Sequence, residues 1–80
     1  AVVEADKVFD SALKQLGFKG ATMGDRLKSA DPSLGNSNAV WSAHKLRNKI
    51  VHDTDVKVSK AEAQAAVASF EKALKKMGAL

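Results

Sequence analysis

The stretch Ala43 to Asp53, AHKLRNKIVHD, concentrates the side chains of this chain that could carry out chemistry. Arg47 is a permanent cation whose planar fork suits two phosphate oxygens. Histidine exchanges protons near neutral pH, so His52 can move a proton, and Asn48 can orient a hydroxyl or donate to an oxyanion. Metal-independent RNA cleavage needs such a set: a group that takes the 2′-hydroxyl proton, a group that protonates the leaving oxygen, and a cation at the phosphate. We therefore take Arg47, Asn48 and His52 as candidate catalytic residues.

Three further basic side chains of this stretch, His44, Lys45 and Lys49, are candidate RNA-binding residues. The whole chain has 13 Lys and Arg against 9 Asp and Glu, a formal net charge of +4. That excess favours approach to a polyanion such as RNA, although the same charge on a small domain can serve solubility alone.

The spacing of the candidate catalytic residues limits what one copy of the chain can do. Arg47 and His52 are five residues apart, which on an ideal helix separates them by about 140° around the axis. Asn48 and His52, at positions i and i+4, share a face. A two-fold dimer through this helix would bring two Arg–Asn–His sets to one cleft, so we expect a homodimer.

A structural interpretation of the same residues competes with the catalytic one. Arg47 could anchor the fold by an ion pair, with its stem packed and its head on an aspartate. The candidate partners in the sequence are Asp25, Asp53 and Asp55. His52 could stabilise the C-terminal end of its helix, and His44 could simply pack beside Trp41.

Other reaction types find little support in the sequence. The two histidines are eight residues apart and the chain has no cysteine, so a zinc site with three or four ligands is not expected. There is no nucleophile-elbow serine and no glycine-rich phosphate loop. We expect no metal and no cofactor.

Hydrophobic periodicity predicts the elements that carry these residues. We predict helices near residues 3–16, 22–30, 37–52 and 60–77, with caps at Thr22, at Asn36 or Ser37, and in a Ser59–Glu62 capping box. Residues 31–38 are predicted to form a loop, and Val56 and Val58 an extended, half-buried connector. The predicted apolar face of the first helix is Ala5, Val8, Phe9, Ala12, Leu13 and Leu16.

The third helix is predicted to bury one stripe and leave the unusual residues at its border. The stripe consists of Ala39, Ala43, Leu46 and Ile50. The border consists of Trp41, His44, Asn48 and His52. Short connections between such helices predict a single all-α domain over residues 1–80, a small four-helix up-and-down bundle. Its predicted core is Phe9, Leu13, Leu16, Leu27, Leu46, Ile50, Val67, Phe70 and Leu74.

The stretch LRNKIVHD resembles the signature of the HEPN superfamily, in which four to six residues lie between an Arg and a following His, and a polar residue usually comes directly after the Arg. The order of helices resembles the small HEPN plan over most of the chain. The resemblance implies a HEPN-like helical bundle, often dimeric through the helix that bears the signature. It also implies metal-independent ribonuclease roles for Arg47 and His52, with Asn48 beside them.

Two functions follow as expectations from the sequence. The first is a dimeric HEPN-type domain that cleaves or binds RNA. The second is a noncatalytic helical interaction module, such as the soluble tail of a larger or membrane-anchored protein. The chain has no long apolar run, so we expect no membrane contact by the chain itself and a cytoplasmic location.

Overall fold

The computed structural model describes residues 2–53, 55 and 57–79, and this part of the chain is all-α, with no strand. Its elements are α1 (Val2–Gln15), α2 (Met23–Ala30), a 3-10 turn (Asp31–Ser33), α3 (Ser37–His52) and α4 (Lys60–Lys76). The predicted four-helix fold is confirmed, and each predicted helix end lies within one residue of the observed one. The short 3-10 turn lies inside the segment predicted as a loop.

The helix ends are fixed by local hydrogen bonds that the sequence predicts. The Thr22 and Asn36 side chains each accept the backbone N–H three residues further on, at 3.2 Å. Ser59 and Glu62 form the reciprocal capping box at the start of α4. Gly17 follows α1 with φ of 91°, a conformation that a residue with a Cβ rarely adopts. The helix ends are therefore marked by contacts within a few residues along the chain.

Three of the helices pack against one another, and the remaining one, α2, lies mainly on α1. The helices α1, α3 and α4 are in mutual contact, while α2 packs mainly on α1. Phe9 of α1 and Phe70 of α4 meet at 5.1 Å between ring centroids and are both fully buried. This pair therefore stands at the centre of the core.

Most of the predicted core is confirmed, with one clear error. The buried members are Phe9, Leu13, Leu27, Phe70 and Leu74. The half-buried members are Leu46, Ile50 and Val67. The prediction for Leu16 is wrong. This residue is 43% exposed, because α1 ends at Gln15 and the chain turns away before Leu16 can reach the core.

The face that α1 turns to the core differs from the predicted one. The buried residues of α1 are Val2, Asp6, Phe9 and Leu13. Val8, predicted on the apolar face, is 59% exposed. At 100° per residue the buried stripe is rotated by about 60° from the predicted one. The rotation brings a carboxylate, Asp6, into the interior, where it meets side chains of α3.

The connector between α3 and α4 is only partly described. Val58 is half-buried, as predicted. Val56, the other half of that prediction, lies outside the described residues. Among the described helices, none combines the length and the apolarity needed to cross a bilayer.

Candidate functional site

The helix α3 brings two of the three candidate catalytic residues together and leaves the third apart. Arg47 Nη1 donates a hydrogen bond of 2.9 Å to Asn48 Oδ1. His52 is the last residue of α3 and its side chain is exposed. It does not line the groove that borders Arg47 and Asn48. One copy of the chain therefore joins Arg47 to Asn48 but not to His52.

A buried carboxylate on α1 holds two residues of α3. Asp6 is 2% exposed. Its Oδ1 lies 3.0 Å from His44 Nδ1, and its Oδ2 lies 3.4 Å from Arg47 Nε. We call Asp6, His44 and Arg47 the Asp6 cluster. It shows that Arg47 does form an ion pair, but with Asp6 of α1 rather than with the aspartates that the sequence offered as partners.

The two contacts within the Asp6 cluster differ in quality. The His44 contact has hydrogen-bond geometry. Arg47 Nε is buried and makes no hydrogen bond within the described part of the chain, so Asp6 holds it by charge alone. The Arg47 side chain is 27% exposed, whereas that of His44 is 9% exposed. Asp6 thus fixes the imidazole by a hydrogen bond and leaves part of the Arg47 side chain open to solvent.

The exposed part of Arg47 borders a groove of about 700 Å³ between α1, α2 and α3. We call this the Arg47 groove. Its lining includes Lys28, Trp41, His44, Lys45, Arg47 and Asn48. Asp10 and Asp25 contribute the acidic groups of the lining. This groove is suited to holding a phosphate group, because a guanidinium, an imidazole, an amide and two amines surround it.

The acidic wall of the Arg47 groove is neutralised by a second ion pair. Both oxygens of Asp10 accept hydrogen bonds from the guanidinium of Arg26, and Lys14 Nζ lies 3.7 Å away. The hydrogen bond from Arg26 is the main cause that lowers the pKa of Asp10 below its ordinary value of 3.8, although partial burial acts in the opposite direction. Asp10 therefore carries its charge at neutral pH, but Arg26 offsets it.

Trp41 supplies an aromatic ring at the edge of the groove. Its indole Nε1 donates to Asp31 Oδ1 at 3.2 Å. Its ring meets His44 edge-on, at 6.2 Å between centroids and an interplanar angle of 74°. The ring is half-buried, so one part of it is fixed and another remains available for contact.

The three candidate RNA-binding residues separate onto two surfaces. His44 lines the Arg47 groove but is buried, whereas the sequence placed it at a border that is partly open. Lys49 lines a different groove of about 510 Å³ between α3 and α4. Lys45 lies on the ridge that separates the two grooves and borders both. Only His44 and Lys45 are therefore placed beside Arg47.

Sequence reasoning missed Asp6, Lys28 and the groove-facing role of Trp41. For Asp6 a signal was present: it lies three residues before Phe9 and seven before Leu13, which puts a carboxylate on the same helical stripe as two core residues. A charge in such a stripe requires a buried partner. The sequence therefore indicates that Asp6 has a buried partner, but it does not identify that partner.

The described residues contain no group of three side chains that could hold a metal ion. Comparison of the chain with models of protein families, with curated proteins and with solved structures finds no match. The resemblance of the stretch LRNKIVHD to the HEPN signature therefore stays a prediction from the sequence.

Proposed function

We propose that this chain is a HEPN-type domain that binds single-stranded RNA in the Arg47 groove and cleaves it without a metal ion. The observation that carries the proposal is the partly exposed side chain of Arg47, which lines the same groove as Lys28 and Lys45. A guanidinium fork flanked by amines binds phosphate oxygens and leaves room for the strand on either side.

The groove also offers a site for a nucleobase. Trp41 lies along the same wall as the cations, held by its hydrogen bond to Asp31. A base stacked on an indole ring gains affinity with little sequence preference, and it fits a strand whose phosphate lies on Arg47. A groove that combines cations with one aromatic ring favours single-stranded RNA over a duplex, in which the bases are already stacked.

The chemistry proposed for Arg47, Asn48 and His52 requires a second copy of the chain. Arg47 neutralises charge on the phosphate, and Asn48 orients it through the contact with Arg47 Nη1. His52 is exposed at the end of α3, away from this groove, so it reaches a phosphate only from a neighbouring copy. An isologous dimer through the exposed end of α3 supplies that arrangement.

The direct test is RNA cleavage by the purified chain in the presence of EDTA. We expect products that end in a 2′,3′-cyclic phosphate. His52→Ala should lower the rate by about 10²–10⁴-fold, the usual contribution of a placed proton donor or acceptor. Asn48→Ala should have a smaller effect. Each variant must keep the helical circular dichroism spectrum of the parent.

Arg47→Lys should also lower the rate, because an ammonium group lacks the bidentate fork. The chain offers a matched control in its other arginine, Arg26, which forms an ion pair with Asp10 but does not line the groove. Arg26→Lys removes the same fork elsewhere and should leave cleavage nearly unchanged. If Arg26→Lys and Arg47→Lys lose activity equally, the loss reflects the fold and not the site.

The dimer has its own test. Sedimentation of the parent at micromolar concentration should show a dimer. Mixing inactive His52→Ala with inactive Arg47→Lys should restore part of the activity, since one site of a mixed dimer has both residues intact. A monomer at all concentrations that support cleavage would remove the shared site.

A second candidate function is a noncatalytic helical interaction module. The observation that favours it is the ion pair between Arg47 and the buried Asp6, which gives Arg47 a structural role on α1. If the parent and its variants all fail to cleave RNA above a buffer control, RNxxxH is an architectural feature here, and this second function replaces the first.

A further inference from the structure

The Arg47 groove contains a histidine that is better placed than His52 to act on a bound strand. We infer that His44, held by Asp6, is the group that takes the 2′-hydroxyl proton in this groove. The inference rests on the RNA cleavage proposed above and deepens it. In this arrangement, one copy of the chain supplies the base, His44, and the phosphate-binding cation, Arg47. His52 of a second copy supplies the acid.

The hydrogen bond to Asp6 fixes which ring nitrogen of His44 carries the proton. A carboxylate only accepts hydrogen bonds, so the contact of 3.0 Å between His44 Nδ1 and Asp6 Oδ1 needs the proton on Nδ1. In the neutral imidazole the lone pair then resides on Nε2. Asp6 therefore acts as a positioning residue that prepares Nε2 as a base and stabilises the imidazolium once Nε2 has accepted a proton.

His44 Nε2 has no hydrogen-bond partner within the described part of the chain. The His44 side chain is more than nine-tenths buried, yet it lines the Arg47 groove. Its only hydrogen bond among the described residues is the one through Nδ1. Its Nε2 is not fully buried. In a purely structural role, both ring nitrogens of a buried histidine would be expected to form hydrogen bonds. Here only Nδ1 of His44 does so within the described residues.

His44 and Arg47 converge because the same carboxylate binds both. The two oxygens of Asp6 contact His44 and Arg47 respectively, which keeps the imidazole and the guanidinium side by side. They are three residues apart on α3 and share a face, unlike Arg47 and His52. Asp6 contacts His44 directly, and the other charged residues that line the same groove are Asp10, Asp25, Lys28, Lys45 and Arg47.

His44 Nε2 takes the proton of the 2′-hydroxyl, and the 2′-oxygen forms a bond to phosphorus. The bond between phosphorus and the 5′-oxygen breaks, and that oxygen takes a proton from the protonated His52 of the second copy. The products are a 2′,3′-cyclic phosphate and a 5′-hydroxyl, and solvent exchange restores both histidines to their starting forms.

The test is the pH dependence of kcat/KM on a short fluorescent single-stranded RNA with EDTA present. The parent should give a bell-shaped profile, because one histidine must be neutral and the other protonated. His44→Gln keeps an amide N–H for Asp6 but has no base. We expect it to lower kcat/KM by about 10²–10⁴-fold and to abolish the rise of the profile with pH. Loss of packing alone would lower the rate without removing that rise.

Asp6→Asn tests the positioning role, with Asp55→Asn as the matched control at an exposed position. The amide of Asn can donate to Nδ1 and move the proton of His44 to Nε2, which removes the lone pair from that nitrogen. Asp6→Asn should therefore reduce kcat/KM in the same direction as His44→Gln, and Asp55→Asn should not. Equal rates for Asp6→Asn and the parent would overturn the positioning role.

A measurement on the parent protein keeps the inference testable if His44→Gln does not fold. The imidazole nitrogens of the ¹⁵N-labelled parent can be followed by nuclear magnetic resonance while uridine 3′-phosphate, which has a 2′-hydroxyl but no leaving group, is added. We expect the Nε2 resonance of His44 to move on binding.

The outcomes separate the inference from the function on which it rests. Cleavage by the parent with an unchanged rate and profile in His44→Gln overturns the inference and leaves the proposed function standing. A shift of His52 alone on addition of the nucleotide has the same consequence. No cleavage by the parent overturns the proposed function and the inference together.

Discussion

Replacement of Asp6 by asparagine should reduce stability more than any other change of a single charge on α1. The substitution keeps the volume of the side chain and removes only its charge, so no cavity contributes. His44 would retain a hydrogen bond, but one between neutral groups. Hydrogen bonds to a charged group contribute about 1.5–3 kcal/mol and neutral ones about 0.5–1.5 kcal/mol, which gives a loss of about 1–1.5 kcal/mol.

Arg47 adds a second, smaller part of the loss. Its Nε lies 3.4 Å from Asp6 Oδ2 without hydrogen-bond geometry, and its side chain is 27% exposed. Such a pair contributes at most about 1 kcal/mol. The total expected loss is therefore about 1–2.5 kcal/mol. A domain of 80 residues has a free energy of unfolding of only about 4–12 kcal/mol, so this loss is easily measured.

The assay is urea denaturation followed by helical circular dichroism and by the fluorescence of the single tryptophan, Trp41. Asp55→Asn serves as the control and should stay within about 0.5 kcal/mol of the parent. The double variant of Asp6→Asn and His44→Gln should lose less than the sum of the two single variants, because both weaken the same contact. An Asp6→Asn protein as stable as the parent, or strictly additive losses, would refute the structural argument for the Asp6 cluster.

Two further predictions concern the ion pair of Asp10 and the core. The pKa of Asp10 is lowered in the folded state, chiefly by its hydrogen bond from Arg26, so its contribution to stability is present above the ordinary value of 3.8 and is lost as the pH falls through the lowered one. The difference in urea midpoint between the parent and Asp10→Asn should be constant near neutral pH and should close well below pH 3.8; a difference that persists there would contradict the ion pair. Leu27→Ala, at a site with no exposure, should lower the free energy of unfolding by about 2–5 kcal/mol, whereas Leu16→Ala should lower it by less than about 1 kcal/mol. Equal losses in urea denaturation would show that Leu16 is packed in the core.

The sequence alone determined the helices of this protein and their ends. Hydrophobic periodicity, cap residues and helix-ending glycines act within a few positions along the chain, so they predict helices without knowledge of the tertiary structure. The predicted capping box and the helix bounds of α3 and α4 show how strong such local signals are. The helix that carries the candidate catalytic residues was predicted for the same reason.

The rotation of α1 and the partner of Arg47 were decided by tertiary structure. A hydrophobic face predicted from periodicity counts apolar residues, and it therefore placed Val8 and Leu16 inside and overlooked a buried carboxylate. Asp6 and His44 are 38 residues apart, and no spacing rule relates side chains on different helices. The sequence could name Arg47 and two histidines as candidates. Only the packing of α1 against α3 decided that the histidine beside Arg47 is His44, because one buried carboxylate must satisfy its charge with both.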